Sequence, residues 1–198
     1  MKARKTARNK GYKFEDYLNR ERETHQKHEY RDGKLLALAG GTLNHGKICG
    51  NVYAETRAKL REKGADCMPF NSDVKLHIKK ANAYVYPDTM VVCSEIEASD
   101  NNGNAVCNPV LIIEVLSKST ADYDRGDKFY MYRKIPTFKE YVLIEQHKYV
   151  VDVHFKAEGV DLWQIKRYEG EHQVIKLQSL GIALSMKELY DSVIIEEA

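Results

Sequence analysis

The stretch Pro109-Val110-Leu111-Ile112-Ile113-Glu114-Val115-Leu116 is the most apolar in the chain. Continuous apolarity over this length is typical of a β-strand covered on both faces, so the sequence predicts a central strand here. One ionisable side chain, Glu114, interrupts the stretch. A buried carboxylate is unstable unless a cation, hydrogen bonds or a metal ion compensates its charge. Glu114 is therefore a candidate functional residue, and a buried ion pair with the following helix is the structural alternative.

Helix and strand patterns continue upstream of this strand. Asp32-Gly33 predicts a turn within a hairpin over residues 29–38. A helix is predicted from about 45 to 63, with Asn44 as its N-cap and Gly64 at its end. Other segments are assigned from β-branched, polar and capping residues. They are a short helix within 11–29, an antiparallel strand pair at 66–78 and 83–93, a polar loop at 99–104, a helix near 125–135 before Pro136, and strands near 139–145, 149–156 and 161–168.

This order of elements predicts the fold class. Strands and helices alternate without a linker or repeat, which indicates a mixed central sheet flanked by helices, α/β or α+β by class. We expect one domain over residues 13–198, with an N-terminal hairpin and C-terminal strands added to the central sheet. Residues 1–12 are basic and contain no acid, so they form either a functional arm or a solvated tail.

Composition excludes several protein classes. The 198 residues are 43% hydrophobic and nearly balanced in charge, with 31 Lys and Arg against 29 Asp and Glu, which excludes a wholly disordered chain. No apolar run approaches the roughly 20 residues of a membrane-spanning helix. The sequence therefore predicts a soluble cytoplasmic protein. Cys49, Cys67, Cys93 and Cys107 form no CxxC pair and are expected to be reduced, buried thiols.

A second carboxylate, Asp88, lies in the strand-like segment 84–93. Pro87 directly before it cannot donate to a strand ladder and predicts a bulge or a divergence of neighbouring strands. Adjacent strands are about 4.8 Å apart, so Asp88 and Glu114 at matching heights can share one divalent cation. The backbone carbonyl of Val115 is a further candidate ligand. Oxygen donors of this kind favour Mg²⁺ or Mn²⁺.

A lysine is the third part expected of such a site. Metal-assisted phosphodiester cleavage gains from a cation near the reacting phosphate. Lys118 follows the central strand directly, whereas Lys128 lies on the second predicted helix, one turn from both Arg125 and Tyr132. These three helical residues are predicted to share a polar face. A solvated surface position is the alternative for either lysine.

Three further residues are weaker candidates. Glu29 opens the predicted hairpin and is either an outer acid of the site or a solvated charge. His45 begins the first long helix, where its imidazole can act as a base or contact phosphate, or can be a capping or exposed residue. Asp73 is a candidate third carboxylate on the neighbouring strand.

Several motifs together resemble the Uma-two family, which is assigned to bacterial endonucleases of the PD-(D/E)XK restriction-endonuclease-like superfamily. The most specific are the long central pattern of residues 109–117 and the segment Asp124-Arg125-Gly126-Asp127-Lys128. The full set comprises residues 27–33, 44–46, 86–88, 109–117, 119–120, 123–129, 132, 140–144 and 179–182. The resemblance covers most of the chain beyond about residue 12.

The resemblance implies a restriction-endonuclease-like domain that binds Mg²⁺ and cuts DNA, with Asp88 and Glu114 as its metal carboxylates. Members of the superfamily usually place a lysine two residues after the second acid, where this chain has Leu116. Lys128 matches the lysine that recurs in the family and is the expected replacement. Because cutting both strands with one site per chain is simplest for two subunits, we expect a homodimer.

Two alternatives stay open at the level of sequence. Leu116 at the usual lysine position is compatible with a non-cleaving protein that binds nucleic acid or forms a complex. The nearly balanced charge is compatible with a metalloenzyme acting on another substrate, or with a structural protein whose acids form buried ion pairs.

Overall fold

The predicted mixed α/β architecture is confirmed in the computed structural model. The described residues form two six-stranded sheets, a two-stranded ribbon and the helices that flank them. Residues 1–10 of the predicted basic arm lie outside the described part of the chain. The described residues are 11–24, 26–38, 40–99, 102–159 and 162–195.

The predicted central strand is β9, Leu111–Leu116, and all six of its residues are buried. It pairs in parallel with β10, Glu140–Glu145, and antiparallel with β6, Thr89–Cys93. The apolar side chains of β9 alternate between two core clusters, one on each face of the sheet, which is why the whole strand is apolar. The outer strands of this sheet are β3 (Cys67–Asn71), β11 (Val150–Lys156) and β12 (Trp163–Glu169), in the order β12-β11-β10-β9-β6-β3.

The second sheet contains the predicted N-terminal hairpin. Asp32 and Gly33 both have positive φ, which a tight turn between two twisted strands requires. The sheet has the order β2-β1-β5-β4-β8-β7, formed by β1 (His28–Arg31), β2 (Lys34–Ala37), β4 (Lys75–Ile78), β5 (Ala83–Val85), β7 (Ala98–Ser99) and β8 (Asn102–Val106). The C-terminal ribbon pairs β13 (Val174–Leu177) with β14 (Ile182–Ser185).

The chain changes sheets at Pro87. The segments predicted as one antiparallel pair, 66–78 and 83–93, each break in two, so that β3 pairs with β6 and β4 pairs with β5 in different sheets. This confirms the predicted divergence of strands. It also places Asp88 directly before β6, beyond the pairing of Thr89 with Ile113.

The helices flank these sheets. The predicted first long helix is α2, Leu43–Lys63, and Gly64 ends it in the left-handed conformation as expected. Its N-cap is Thr42 rather than Asn44, whose amide instead donates to the distant carbonyls of Gln146 and Ile194. The other helices are α1 (Phe14–Glu23), α3 (Ala121–Tyr123), which continues through a π-helical turn (Asp124–Lys128) into α4 (Phe129–Tyr132), and α5 (Met186–Leu189).

Two sequence expectations are corrected by the fold. The predicted polar loop at 99–104 instead contributes to the strand pair β7 and β8, apart from residues 100 and 101, which lie outside the described residues. Cys67 and Cys93, expected as reduced thiols, face each other across β3 and β6 and form a disulfide. Only the strand register brings them together. Within the described ranges, none of the helices combines the length and apolarity that crossing a bilayer requires.

Candidate active site

Asp88, directly before β6, meets Glu114, the fourth residue of β9. The backbone N–H of Val115 donates to Asp88 Oδ2 at 2.8 Å, and the N–H of Asp88 lies 3.4 Å from Glu114 Oε2. The antiparallel register of β6 and β9 produces this arrangement, because one further pair beyond Thr89 and Ile113 sets the two acids opposite each other. The expected matching height of the two carboxylates is therefore present.

Glu114 is a buried carboxyl with a cation beside it. Its side chain is 3% exposed, and its Oε1 lies 2.9 Å from Lys128 Nζ and accepts a 2.7 Å hydrogen bond from Tyr132 Oη. Burial raises the pKa of Glu114 to about 8; Lys128 opposes that rise and the charges of Asp88 and Asp124 add to it. This carboxyl is thus poised between its neutral and ionised forms near neutral pH.

Lys128 is surrounded by carboxylates. Its Nζ lies 3.2 Å from Asp124 and 3.7 Å from Glu29, in addition to Glu114. Burial alone would lower the pKa of Lys128, but the surrounding negative charges, Glu114 first, raise it well above its ordinary value. Lys128 is therefore a charged ammonium held next to the acid pair.

The π-helical turn orients the second helix toward the acids. It brings Asp124, Lys128 and Tyr132, spaced four residues apart, to the Glu114 side of the helix. Arg125 does not share this face, contrary to the prediction. Its guanidinium forms ion pairs of 2.8 and 2.7 Å with Asp152 on β11 and Glu145 on β10, whose carboxylates suit its forked geometry.

Glu29 is a buried member of the cluster, not a solvated charge. It is 3% exposed, and its carboxylate lies 3.4 Å from the Tyr86 N–H and 3.5 Å from Tyr123 Oη. The Tyr123 ring in turn has the Lys128 ammonium 5.6 Å from its centroid. Glu29 thus adds a third carboxylate beside the Lys128 ammonium.

His45 approaches the site from the start of α2. Its backbone N–H donates to the Thr42 hydroxyl, while its Nε2 lies 3.3 Å from Asp88 Oδ1. The hydrogen bond with Asp88 raises the pKa of His45. Burial works against ionisation of Asp88, but His45, the Val115 N–H and the charge of Lys128 together outweigh it and lower the pKa of Asp88. The imidazole is thus directed at the acid rather than exposed.

Cys49 lies one helical turn after His45 and completes a cluster at Asp88. One ligand atom each from His45, Cys49 and Asp88 lies within 4.8 Å of the others. Burial, followed by the charges of Asp88 and Glu114, raises the pKa of the Cys49 thiol. Sequence analysis passed over Cys49, although its four-residue spacing from His45 on a helix could have indicated it.

Two predicted residues lie elsewhere. Asp73 occupies an exposed turn between β3 and β4, where it pairs with Lys27 at 2.6 Å and bonds to Asn71. Its assignment as a third site carboxylate is wrong, because the chain leaves the central sheet before it reaches Asp73. Lys118 is exposed on the segment after β9, so the lysine beside Glu114 is Lys128. Sequence analysis missed Asp124, although its spacing from Lys128 could have indicated it.

Comparison with known proteins places this chain among relatives. The model of the Uma2 family, described as "Putative restriction endonuclease", matches residues 14–187. The chain belongs to the Uma2 family. The resemblance inferred from the sequence motifs is thereby confirmed, and the match spans every candidate site residue from Glu29 to Tyr132.

Individual relatives match most of the chain. Two uncharacterized proteins of Synechocystis sp., sll1609 and slr1290, are 35% and 34% identical over 84% and 89% of this chain and 93% and 90% of their own. A crystal structure titled as a putative nuclease belonging to DUF820 from Anabaena variabilis superposes with a TM-score of 0.67 over 88% of this chain and 97% of that one. At 16% identity, that structure supports the fold alone.

Proposed function

We propose that this Uma2 protein is a divalent-metal-dependent endonuclease that hydrolyses phosphodiester bonds in DNA. The observation that carries the proposal is the placement of Lys128 Nζ 2.9 Å from Glu114, on the carboxylate pair formed with Asp88. Two acids on neighbouring strand segments with a lysine beside them are the parts that metal-assisted phosphodiester cleavage needs. Membership of the Uma2 family supports a nucleic-acid substrate.

Asp88, Glu114 and the Val115 carbonyl are the proposed ligands for Mg²⁺ or Mn²⁺. Their donor chemistry fits, because all three supply oxygen atoms and the acids lie close enough that the Asp88 charge raises the pKa of Glu114. A bound divalent cation lowers the pKa of a coordinated water and polarises the scissile phosphate.

The remaining side chains have separate proposed roles. Lys128, kept charged by its carboxylates, stabilises the negative charge that develops on the phosphate oxygens. Lys128 thus supplies the positive charge that a lysine at position 116 usually supplies in the superfamily. Tyr132 is a positioning residue, since its hydroxyl fixes Glu114 Oε1. His45 hydrogen-bonds Asp88 and can accept a proton when neutral.

A non-cleaving, nucleic-acid-binding function is the second candidate. It is favoured by Leu116 at the usual lysine position and by the burial of both Glu114 and Lys128, whose side chains are 3% and 8% exposed. In this alternative the acids and Lys128 form a structural ion-pair network.

Cleavage of supercoiled plasmid by purified protein separates these functions. We expect nicked and linear products with Mg²⁺ or Mn²⁺ and none with EDTA. Asp88→Asn and Glu114→Gln should abolish cleavage, whereas Asp73→Asn, a matched change of an exposed carboxylate, should leave it intact. Plasmid retention on the protein without any cleavage in either metal would favour the non-cleaving alternative.

A further inference from the structure

We propose that His45, Cys49 and Asp88 form a second metal site, which binds a thiophilic divalent ion such as Zn²⁺ or Co²⁺. None of the roles proposed above uses Cys49. The site would share Asp88 with the Mg²⁺ ligands, so the two kinds of ion compete for one carboxylate.

The geometry of α2 supports this site. His45 and Cys49 lie four residues apart near the start of a 21-residue helix, so they are on the same face. Their ligand atoms and the Asp88 carboxylate lie within 4.8 Å of one another. The edge of a tetrahedral zinc site is about 3.5 Å for ordinary Zn–N, Zn–S and Zn–O bonds. Small side-chain rotations therefore suffice to bring the three donors onto one ion.

The surroundings of these ligands also fit a metal. His45 Nε2 lies 3.3 Å from Asp88 Oδ1 and is the ring nitrogen directed at the shared carboxylate, while Nδ1 is buried with no hydrogen-bond partner among the described residues, so no hydrogen bond at Nδ1 fixes the ring in another orientation. Asn51, on the next turn of α2, donates to the carbonyls of Leu189 and Asp191 and fixes the helix against the C-terminal segment. A fixed helix keeps His45 and Cys49 in place and reduces the entropy lost on binding an ion.

Donor chemistry decides which ion this site takes. Imidazole nitrogen and thiolate sulfur favour Zn²⁺ and Co²⁺ over Mg²⁺, which requires oxygen ligands. Three protein ligands leave one tetrahedral position open to water. Binding converts the Cys49 thiol to a thiolate, and its proton passes to the solvent.

Cobalt absorption tests the site directly and without any assay of cleavage. Titration of the intact protein with Co²⁺ should produce the near-ultraviolet charge-transfer absorption of a Co²⁺–thiolate bond, with one equivalent bound. Cys49→Ser and Cys49→Ala should both lose this absorption. Cys107→Ser, which removes the other cysteine outside the disulfide, should keep it. Folding of each variant is checked by its melting curve.

The contrary results are equally definite. Absence of the charge-transfer absorption in folded wild-type protein would overturn the proposal. Its survival in folded Cys49→Ser would do the same, because another sulfur would then be the ligand.

The competition for Asp88 rests on the proposed nuclease function and is measured separately. Micromolar Zn²⁺ should inhibit plasmid cleavage in millimolar Mg²⁺, and Cys49→Ser should need at least about tenfold more Zn²⁺ for the same inhibition, as expected when one ligand is lost. Equal inhibition of both proteins would overturn the sharing of Asp88. If the protein cuts no DNA, the nuclease proposal fails while the Co²⁺ result still decides the metal site.

Discussion

Asp88 and Glu114 are two carboxylates whose environments push their pKa values in opposite directions. His45 and the Val115 N–H favour ionised Asp88, whereas burial favours protonated Glu114. A divalent ion reverses the cost of ionising Glu114, because it replaces repulsion between the acids by attraction to both. A structural ion pair with Lys128 would lack this asymmetry, because it would instead keep Glu114 ionised without metal.

Metal-free Glu114→Gln tests that asymmetry. With a folded pKa of about 8 against an ordinary value of 4.5, Glu114 binds more protons folded than unfolded between these limits. The free energy of unfolding of the wild type should therefore fall as pH rises through this window, and the variant should lack that contribution. We expect the variant to gain about 1–2 kcal/mol relative to wild type between pH 6 and 8.5. Urea unfolding in EDTA measures it, and a pH-independent difference would indicate an ionised structural pair with Lys128.

Metal binding should stabilise the folded protein through Asp88. Saturation at a hundredfold excess over the dissociation constant contributes about 2.7 kcal/mol, which raises the melting temperature by several degrees for a chain of this size. Calorimetry with Mn²⁺ should show this shift for the wild type and a much smaller one for Asp88→Asn. Asp73→Asn is the control. No shift in the wild type at millimolar Mn²⁺ or Mg²⁺ would count against the oxygen-ligand site.

Some site residues could be predicted from the sequence and others could not. Glu114 and Asp88 could be predicted because each is an acid in an apolar strand, and burial makes such an acid anomalous. Asp124 and Cys49 are less anomalous, since an acid or a thiol on an amphipathic helix is ordinary, and their only sequence signal is the four-residue spacing from Lys128 and His45. The packing of their helices against Asp88 and Glu114 brings them to the site.

At the scale of elements, the helix that contains the π turn positions Lys128 because side chains of this helix bond to the central sheet in two places. Tyr132 bonds Glu114 on β9, and Arg125 bonds Asp152 and Glu145 on β11 and β10. Arg167 donates to Asp152 as well. Arg125 therefore holds the helix against β10 and β11. This role could not be predicted from the sequence, because its partners lie on strands far along the chain.

Asp152→Asn should weaken the contact between this helix and the sheet and lower the free energy of unfolding. Hydrogen bonds from Arg167, burial and the bonds from Arg125 act on Asp152 with a net lowering of its pKa. The interaction therefore stabilises the fold above the ordinary pKa of an aspartate and is lost as pH falls through the lowered value. Because Arg125 is partly exposed and Arg167 is exposed, solvent screens both ion pairs, and we expect a small but measurable loss of unfolding free energy at pH 7. Urea unfolding of wild type and variant, followed as the pH falls from 7 until Asp152 is protonated in the folded protein, measures it; a loss that does not change with pH would contradict an ionic origin.

Element boundaries were predictable where a local signal specified them. The Asp32-Gly33 turn and the Gly64 helix end are set by backbone conformation that few residues adopt. Pro87 was predicted to mark a bulge or a divergence of neighbouring strands, and the chain does change sheets there. The break of both long strand segments was not predicted. The π turn was not predicted; it contains Asp124 and Lys128, and Lys128 pairs with both Asp124 and Glu114.

At the scale of the whole molecule, sequence motifs identified the fold and the Uma2 family, and they could not supply the division into two sheets or the disulfide. Both depend on long-range strand register. The proposed double-strand cleavage by one site per chain still implies a homodimer. Light scattering with and without DNA should give twice the 22.8 kDa chain mass. A monomer under all conditions would instead indicate a nickase.

The central claim is that Lys128 replaces the lysine missing at Leu116, and the rate of plasmid nicking by Lys128→Met tests it most directly. Loss of one preorganised charge-stabilising group costs about 10²–10³-fold in rate. We predict a loss of that size for Lys128→Met, whose melting curve must show a folded protein that Mn²⁺ still stabilises, and an unchanged rate for Lys118→Met. Nicking at the wild-type rate by folded Lys128→Met, or its loss in Lys118→Met alone, would contradict the account.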